Sequence, residues 1–343
     1  MSLRAALGCP GITSPSPSPA PGAAVVRRAT TADEAGIVRL LRTTMGWPAG
    51  GPDADLLAWK HQGNAFGPSP TWIAAVGAEV VALRTFMRWE FEHGGAVIPA
   101  VRAVDTATHP DHQGQGLFTR LTRQAVEELT AEGVALVFNT PNERSRPGYL
   151  KMGWRQAGRL GVLARPRRPW SLWPMARSRC PAGRWSLPTG AGVPAAEVLA
   201  DREAVAALLA TAPPGSVLRT RRRPEVLAWR YGFAPLHYRA LLAGSAAGEG
   251  FVLFRLRRRG RAVEAVVADT VVPGDDPGLA GELARRVAGL AGSDYAIRLA
   301  GPGARGFFPL PGQGPTLLWR PLAGTDVPPP ATWALSLGDV ELF

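Results

Sequence analysis

The chain has 343 residues, of which 46% are hydrophobic, so it can bury about two cores at the usual domain size of roughly 150 residues. Its two cysteines, Cys9 and Cys180, are too few for a disulfide framework or a CxxC metal site, which predicts a reducing, cytoplasmic location and no metal. No apolar stretch approaches the roughly 18 residues that span a bilayer, so no membrane association is expected. The net charge of +12 comes almost entirely from arginine, because Lys60 and Lys151 are the only lysines.

The first half of the chain alternates strand and helix patterns after a Pro/Ser-rich tail over residues 1–24, which is predicted to be disordered. A strand followed by an amphipathic helix is predicted over 25–47, and a short helix over 56–61. Three strands then follow at 71–77, 79–92 and 96–108. A helix over 116–133, a buried strand over 134–140 and a short helix within 146–154 complete a mixed α/β unit with an antiparallel start.

The second half looks like a copy of the first, after a connector over 161–190 rich in Arg, Pro and Trp. LLAWKH (56–61) has a counterpart in VLAWRY (226–231), and Asp105-Thr106 has one in Asp269-Thr270. The copy keeps the order strand, loop, helix, but its loop reads GDDPG. The sequence therefore predicts two tandem α/β units, one over 25–160 and a degenerate one over 191–343.

The stretch THPDHQGQGLFTRL (108–121) has two glycines at the point where a strand gives way to a helix. Such glycines allow close approach to the backbone, and the free N–H groups at the helix start attract phosphate. Neither GxxxxGK[ST] nor GxGxxG is completed, which excludes two common phosphate loops. A tight turn without a ligand is the structural alternative.

The wider context resembles the GNAT superfamily of N-acetyltransferases at two separate motifs. The first is the acetyl-CoA motif, a strand that ends before Pro followed by [R/Q]-x-x-G-x-[G/A]. The second is N-x-x-[A/S]-x-x-x-Y-x-x-x-G-[F/W], matched by Asn142, Ser145, Tyr149, Gly153 and Trp154. An intact unit followed by a degenerate one is also similar to the layout of enhanced-intracellular-survival type acetyltransferases. The implied fold is two tandem GNAT units, each with a mixed central sheet flanked by helices.

The resemblance implies acetyl-CoA as cosubstrate and assigns residues to it. The implied cofactor-binding residues are Thr106, Thr108, Gln113, Gly114, Gln115, Gly116, Leu117, Phe118 and Asn142. At Phe118 the family prefers Gly or Ala, which leaves the packing beside the pyrophosphate open. Asn142 could instead serve only to form a turn.

The resemblance also implies the catalytic groups, with Tyr149 as the general acid for the departing thiolate. For the general base we consider Glu90, which shares a strand face with Glu92, and the C-terminal carboxylate of Phe343, by analogy with some enhanced-intracellular-survival type enzymes. Asp105 and His109 are weaker candidates. Trp59, His61 and Trp72 could shape an acceptor pocket, although core packing is the default for tryptophan.

The function predicted from the sequence is the transfer of an acetyl group from acetyl-CoA to a primary amine of a small molecule. One alternative is a regulatory protein that binds acyl-CoA without catalysis. Another is a nucleic-acid partner for the arginine-rich connector, but no recognition helix or aromatic RNA platform is apparent. The acceptor, the acyl length and the oligomeric state stay open.

Overall fold

The computed structural model describes residues 23–47, 51–177, 180–322 and 326–341; Cys9, the tail over 1–22 and Phe343 lie outside them. No helix in these ranges is long and apolar enough to cross a membrane. The described strands are β1 Val25–Arg28, β2 Thr71–Val76, β3 Glu79–His93, β4 Ala96–Thr108, β5 Leu136–Asn139, β6 Arg155–Arg159, β7 Val162–Pro166, β8 Ala182–Leu187, β9 Val193–Pro194, β10 Arg219–Thr220, β11 Arg239–Leu242, β12 Phe251–Arg259, β13 Ala262–Val271, β14 Tyr295–Leu299, β15 Phe308–Pro309 and β16 Thr316–Pro321.

The described helices are α1 Glu34–Met45, α2 Asp53–Leu57, α3 Leu117–Ala131, α4 Arg146–Lys151, α5 Leu172–Arg177, α6 Ala195–Ala200, α7 Arg202–Ala210, α8 Pro224–Tyr231, α9 Pro277–Ala288 and α10 Leu337–Val340. A π-helical turn, Ala58–Gln62, continues α2. The strands and helices predicted for the first half are confirmed, with ends that differ by a few residues.

The described strands form two mixed sheets, which confirms the predicted fold class of two tandem α/β units. The first sheet has the order β1-β2-β3-β4-β5-β16-β6, and β10 adds to β3. Helix α3 packs on one face through a stripe of apolar side chains that includes Leu121, Ala125 and Leu129. Helix α1 packs on the other face through Leu40 and Leu41. This stripe spacing places one side of each helix against the sheet.

The second sheet has the order β15-β7-β14-β13-β12-β11-β9, with β8 beside β12. The two halves meet through equivalent residues of the repeat. The indole N–H of Trp59 donates to the carbonyl of Trp229 at 2.7 Å, and the indole N–H of Trp229 donates to the carbonyl of Trp59 at 2.8 Å. Such reciprocal contacts are expected where two copies of one fold pack around a pseudo-two-fold axis. Trp59 therefore lies in the interface between the halves, and Trp72 is fully buried in the first core.

The two sheets exchange one equivalent strand, in addition to the short β10 of the second half that pairs with β3. Strand β16, near the C-terminus, lies between β5 and β6 of the first sheet and is antiparallel to both. Strand β7, which directly follows β6, instead pairs with β14 and β15 of the second sheet. The two strands have similar sequences, TLLWRP and VLARP, and occupy equivalent places in the two sheets. The two sheets are therefore not built from residues 25–160 and 191–343 alone. Strands β7 and β8 both lie inside the segment 161–190.

The last described residues run between the two sheets. Arg102, on β4, donates a hydrogen bond to the carbonyl of Asp339 at 2.6 Å and another to the carbonyl of Val340. The carboxylate of Glu341 accepts from Arg257 at 2.7 Å and from Arg255, which are on β12. Burial alone would raise the pKa of Glu341, but Arg255 and Arg257 outweigh it and lower that pKa below its ordinary value.

Substitution Glu341→Gln is expected to destabilise the protein by about 3 kcal/mol, because it removes the buried carboxylate that pairs with Arg255 and Arg257. Urea denaturation at neutral pH measures the loss. Glu225→Gln is the control, since Glu225 pairs with Arg223 in solvent and its side chain is 46% exposed. The control should change the free energy of unfolding by less than about 0.5 kcal/mol. Equal values for the two variants would contradict the prediction.

Candidate active site

Strands β4 and β5 separate from each other in the middle of the first sheet. They pair in parallel over only three residues, the last pair being Arg102 with Phe138. Strand β4 continues to Thr108 and stays paired with β3 on its other side. The edge of β4 that faces β5 is thus available from Ala103 onward. A cavity of about 810 Å³ opens at this point, a size typical of ligand sites.

The glycine loop and the start of α3 form one wall of this cavity. Gly114 and Gly116 have φ angles of +75° and +71°, in the left-handed region that favours glycine. Gly116 directly precedes α3, so the unpaired N–H groups of the first helical turn lie at the cavity. Of the predicted cofactor-binding residues, Thr106, Thr108, Gln113, Gly114, Gly116, Leu117, Phe118 and Asn142 line it. Gln115 is not among the lining residues.

The packing of Phe118 explains why a large residue fits where the family prefers a small one. Its ring lies edge-on to Tyr149, with a centroid distance of 5.4 Å. A Cβ added at Gly148 would come within 2.9 Å of the Phe118 ring, so the glycine makes room for the phenyl group. Phe118 therefore points toward α4 rather than into the space over the loop.

Tyr149 lies on α4, lines the cavity and is 4% exposed. Its ring packs against Trp154 at 5.2 Å and lies 5.1 Å from the Arg84 guanidinium carbon, a cation–π contact. Asn142 has the turn-forming geometry, because its side-chain oxygen accepts from the backbone N–H of Ser145 at 2.9 Å. Asn142 thus shapes the turn that begins α4 and also lines the cavity.

One predicted catalytic residue, Glu90, lies away from this site in the described structure. Glu90 pairs with Arg221 at 3.0 Å and with Arg223 at 3.7 Å, on the part of β3 that faces the second half. It does not belong to the lining of the cavity between β4 and β5. Phe343 lies outside the described residues. Phe343 therefore stays a prediction as the general base, and Glu90 is unlike it in lying away from the cavity.

Three residues at the site were not found by motif matching. Asn139 ends β5, is 2% exposed and lines the cavity, and its side-chain oxygen has no hydrogen-bond partner among the described residues. Arg144 also lines the cavity. Arg84 is fully buried on β3 beside Tyr149 and donates to the hydroxyl of Thr106. Asn139 and Arg84 could have been found in the sequence as polar residues in mostly apolar strand segments, VFN (137–139) and VALRTF (81–86).

The residues present fit the thioester cosubstrate that the resemblance implies. An open strand edge can pair with the amides of a pantetheine arm as an added strand would. The buried oxygen of Asn139 is an acceptor suited to an amide N–H. The first turn of α3 can bind a pyrophosphate through its N–H groups.

The equivalent helix of the second half has no free N-terminus. Asp276 accepts hydrogen bonds from the N–H groups of Gly278 at 2.6 Å and Leu279 at 3.1 Å. Pro277, the first residue of α9, contributes no N–H at all. A carboxylate of the chain itself therefore caps this helix, so α9 lacks the free N–H groups that α3 has.

A split mixed sheet with a glycine loop and a helix start at the split agrees with the acyltransferase class that the comparisons with known proteins show. Residues 25–157 match the family model described as an acetyltransferase (GNAT) domain, and this segment belongs to that family. No curated protein matches the sequence at a significant level.

Several solved structures share the fold over most of the chain. One is a probable N-acyltransferase of unknown function from Enterococcus faecalis V583, with 12% identity, 88% of this chain and 73% of that chain covered, and a TM-score of 0.58. Another is a GCN5-related N-acetyltransferase from Kribbella flavida, with 16% identity and a TM-score of 0.57. The match covers 87% of this chain and 72% of that chain. A third is Eis1 from Mycobacterium abscessus, with 19% identity and a TM-score of 0.55. The match covers 86% of this chain and 73% of that chain. At these identities the likeness concerns the fold.

Proposed function

We propose that this protein transfers an acetyl group from acetyl-CoA to a primary amine of a small molecule, by direct attack of the amine on the thioester. The observation that carries the proposal is the cavity between β4 and β5, which places the glycine loop, the open strand edge and Tyr149 around one space. One structural neighbour is a GCN5-related N-acetyltransferase and another a probable N-acyltransferase, which agrees with an amine acceptor. The location proposed for the reaction is the cytoplasm.

The division of labour follows from the geometry. The N–H groups of Gly116, Leu117 and Phe118 would hold the pyrophosphate at the start of α3, where the helix dipole favours an anion. The edge of β4 from Ala103 to Thr108 would align the pantetheine arm along the strand. Tyr149, held by Phe118, Trp154 and Arg84, would donate its phenolic proton to the departing sulfur.

The function is tested by a screen of amines with acetyl-CoA, in which release of free thiol and the mass of the acetylated product are measured. The panel includes spermidine, glucosamine and kanamycin, as a polyamine, an amino sugar and an aminoglycoside. Acetylation of a panel member supports the proposal. Tight binding of acetyl-CoA without acetylation of any amine would instead favour the acyl-CoA-binding regulatory protein.

Substitution Gly116→Val is expected to weaken acetyl-CoA binding at least about 100-fold, or ~2.7 kcal/mol, measured by calorimetry. The left-handed backbone conformation of Gly116 is strongly unfavourable for a β-branched residue such as valine. The loop would therefore change its conformation, and its N–H groups would turn away from the pyrophosphate.

The matched control is Gly274→Val in the equivalent loop of the second half. Gly274 has a φ of +60°, and at both Gly274 and Gly116 an added Cβ would meet no neighbouring atom within 4 Å, so both variants suffer similar backbone strain. The control should keep its affinity for acetyl-CoA because Asp276 already caps that helix. Equal affinities of Gly116→Val and the native protein would remove the loop from the binding site.

A further inference from the structure

Three side chains, Ser69, His61 and Asp105, form a continuous hydrogen-bonded row beneath the split of the first sheet, and Lys60 pairs with its Asp105 end. The ring of His61 contacts the hydroxyl of Ser69 through Nδ1 at 3.0 Å and the carboxylate of Asp105 through Nε2 at 2.7 Å. The ammonium group of Lys60 contacts the same carboxylate oxygen of Asp105 at 2.7 Å. These residues come from three places in the chain: the π turn after α2, the loop before β2, and β4.

The row connects the cofactor cavity with a second cavity. Asp105 lines the cavity of about 810 Å³ and also another of about 660 Å³, between α1, α2 and β3, which His61 and Ser69 line as well. Asp105 sits at an irregularity where β4 loses its register with β3, and its φ of +38° is rare for a residue other than glycine. Strained residues of this kind are concentrated at functional sites.

The charges of the row are set by burial and by the Lys60–Asp105 pair. Burial lowers the pKa of His61, against the opposing effect of Asp105. Burial alone would raise the pKa of Asp105, but Lys60 and His61 outweigh it and hold that pKa well below its usual range. His61 is thus neutral near pH 7: Nε2–H donates to the anionic Asp105, and Nδ1 presents its lone pair to Ser69.

The surroundings of Ser69 favour proton transfer over nucleophilic attack. The N–H of Ser69 already donates to the carbonyl of His61 at 2.9 Å. Pro68 and Pro70 flank Ser69 and have no N–H groups, so this segment offers no donors for an oxyanion. A serine nucleophile would lack that support, whereas a hydroxyl that passes a proton to His61 does not need it.

The second half provides an internal comparison. There Tyr231 replaces His61 in the WRY copy of WKH, and its hydroxyl donates to Asp269, the counterpart of Asp105, at 3.2 Å. Burial raises the pKa of Tyr231 well above its ordinary value, so it keeps its proton. The bond from this helix to the strand carboxylate is therefore present in both halves. The helix residue that makes it is an imidazole in the half with the intact glycine loop and a protonated phenol in the other half.

We propose that the 660 Å³ cavity receives the acceptor amine, which is cationic, and that His61 takes its proton directly or through the hydroxyl of Ser69, with Asp105 and Lys60 as positioning residues. This inference rests on the proposed acetyl transfer. The carboxylates of Glu34 and Asp55 lie exposed in the lining of the cavity and would attract a cation. Arg28, also in the lining, is paired with Glu128 and Glu132.

The ammonium group of the acceptor loses one proton to His61, and the amine lone pair then forms a bond to the thioester carbonyl carbon. The carbon–sulfur bond then breaks, and the departing sulfur takes the phenolic proton of Tyr149. A second proton, lost by the acceptor nitrogen, restores the phenol of Tyr149. The products are the amide, CoA thiol and one proton, which His61 releases to solvent.

The test is the pH profile of kcat/KM for the best amine of the panel. In the native protein, activity should fall as the pH drops through the lowered pKa of His61, because a protonated imidazole cannot act as base. His61→Gln should lower kcat/KM at neutral pH by roughly 100-fold or more and abolish that acidic limb, with an unchanged Kd for acetyl-CoA. Ser69→Ala should reduce the rate less and keep the limb. Exogenous imidazole should partly restore His61→Ala.

His93→Gln, at the hairpin end of β3, is the matched control and should keep the native profile. A variant lacking Leu342 and Phe343 tests the C-terminal carboxylate as the alternative base. Loss of the acidic limb in that variant, with the limb retained in His61→Gln, would overturn the inference and leave the acetyltransferase function standing.

A second measurement does not require turnover. Spermidine titrated into the 13C-histidine-labelled protein without acetyl-CoA should shift the NMR signals of His61 and leave those of His93 unchanged. If no amine of the panel is acetylated, the proposed function fails. The titration then tests by itself whether the 660 Å³ cavity binds an amine. Absence of a shift at His61 would overturn the assignment of the cavity to the amine.

Discussion

A chain cut between Leu160 and Gly161 is expected to give a first fragment that does not fold alone but becomes soluble when the second fragment is expressed with it. The first fragment, residues 1–160, lacks β16, whose Leu317, Leu318 and Trp319 are buried in the first half. Burial of these three side chains contributes roughly 5–9 kcal/mol, comparable with the whole stability of a domain. In addition, β6 would lose its neighbour in the sheet.

The measurement is the soluble yield and the circular dichroism of each fragment, alone and co-expressed. The second fragment, residues 161–343, contains every described strand of the second sheet as well as β16. As a control, residues 314–322 joined to residue 160 by a flexible linker should restore the fold of the first fragment by supplying β16 in the same chain. A first fragment that is soluble, monomeric and binds acetyl-CoA without this strand would contradict the strand exchange.

Substitution Tyr149→Phe is expected to lower kcat by roughly 100- to 1,000-fold, the contribution typical of a positioned general acid. The Kd for acetyl-CoA should stay within about threefold, because the ring contacts with Phe118, Trp154 and Arg84 do not involve the hydroxyl oxygen. Stopped assays that measure free thiol and calorimetry together separate the two quantities.

The control for this variant is Tyr295→Phe in the second sheet, which removes a buried hydroxyl that donates to Glu264 at 2.9 Å. It should cost stability, about 1 kcal/mol for a lost hydrogen bond, and leave kcat unchanged. A kcat for Tyr149→Phe equal to that of the native protein would show that the sulfur obtains its proton elsewhere. A parallel loss in both variants would point to a general effect of stability rather than acid catalysis.

The local parts of the site could be predicted from sequence because their physics is local. Two glycines before an amphipathic helix determine a left-handed loop and a free helix start, and the structure has both at Gly114 and Gly116. The same reasoning applies in the second half, where Asp276 and Pro277 close the equivalent helix start. The position of Tyr149 behind a Pro-containing turn of helix also follows from neighbouring residues.

By itself, then, the sequence determined the order of strands and helices in the first half, the likeness of the second half to it, and most of the predicted residues that line the cavity between β4 and β5. The tertiary structure alone decided which strand fills the gap beside β5, because TLLWRP and VLARP are similar enough for either to pair there, and pairing depends on contacts distant in sequence. It also decided the row of Ser69, His61 and Asp105, since 44 residues separate His61 from Asp105. Only the bend of β4 at Asp105 brings that carboxylate under the π turn, and no local pattern specifies the contact.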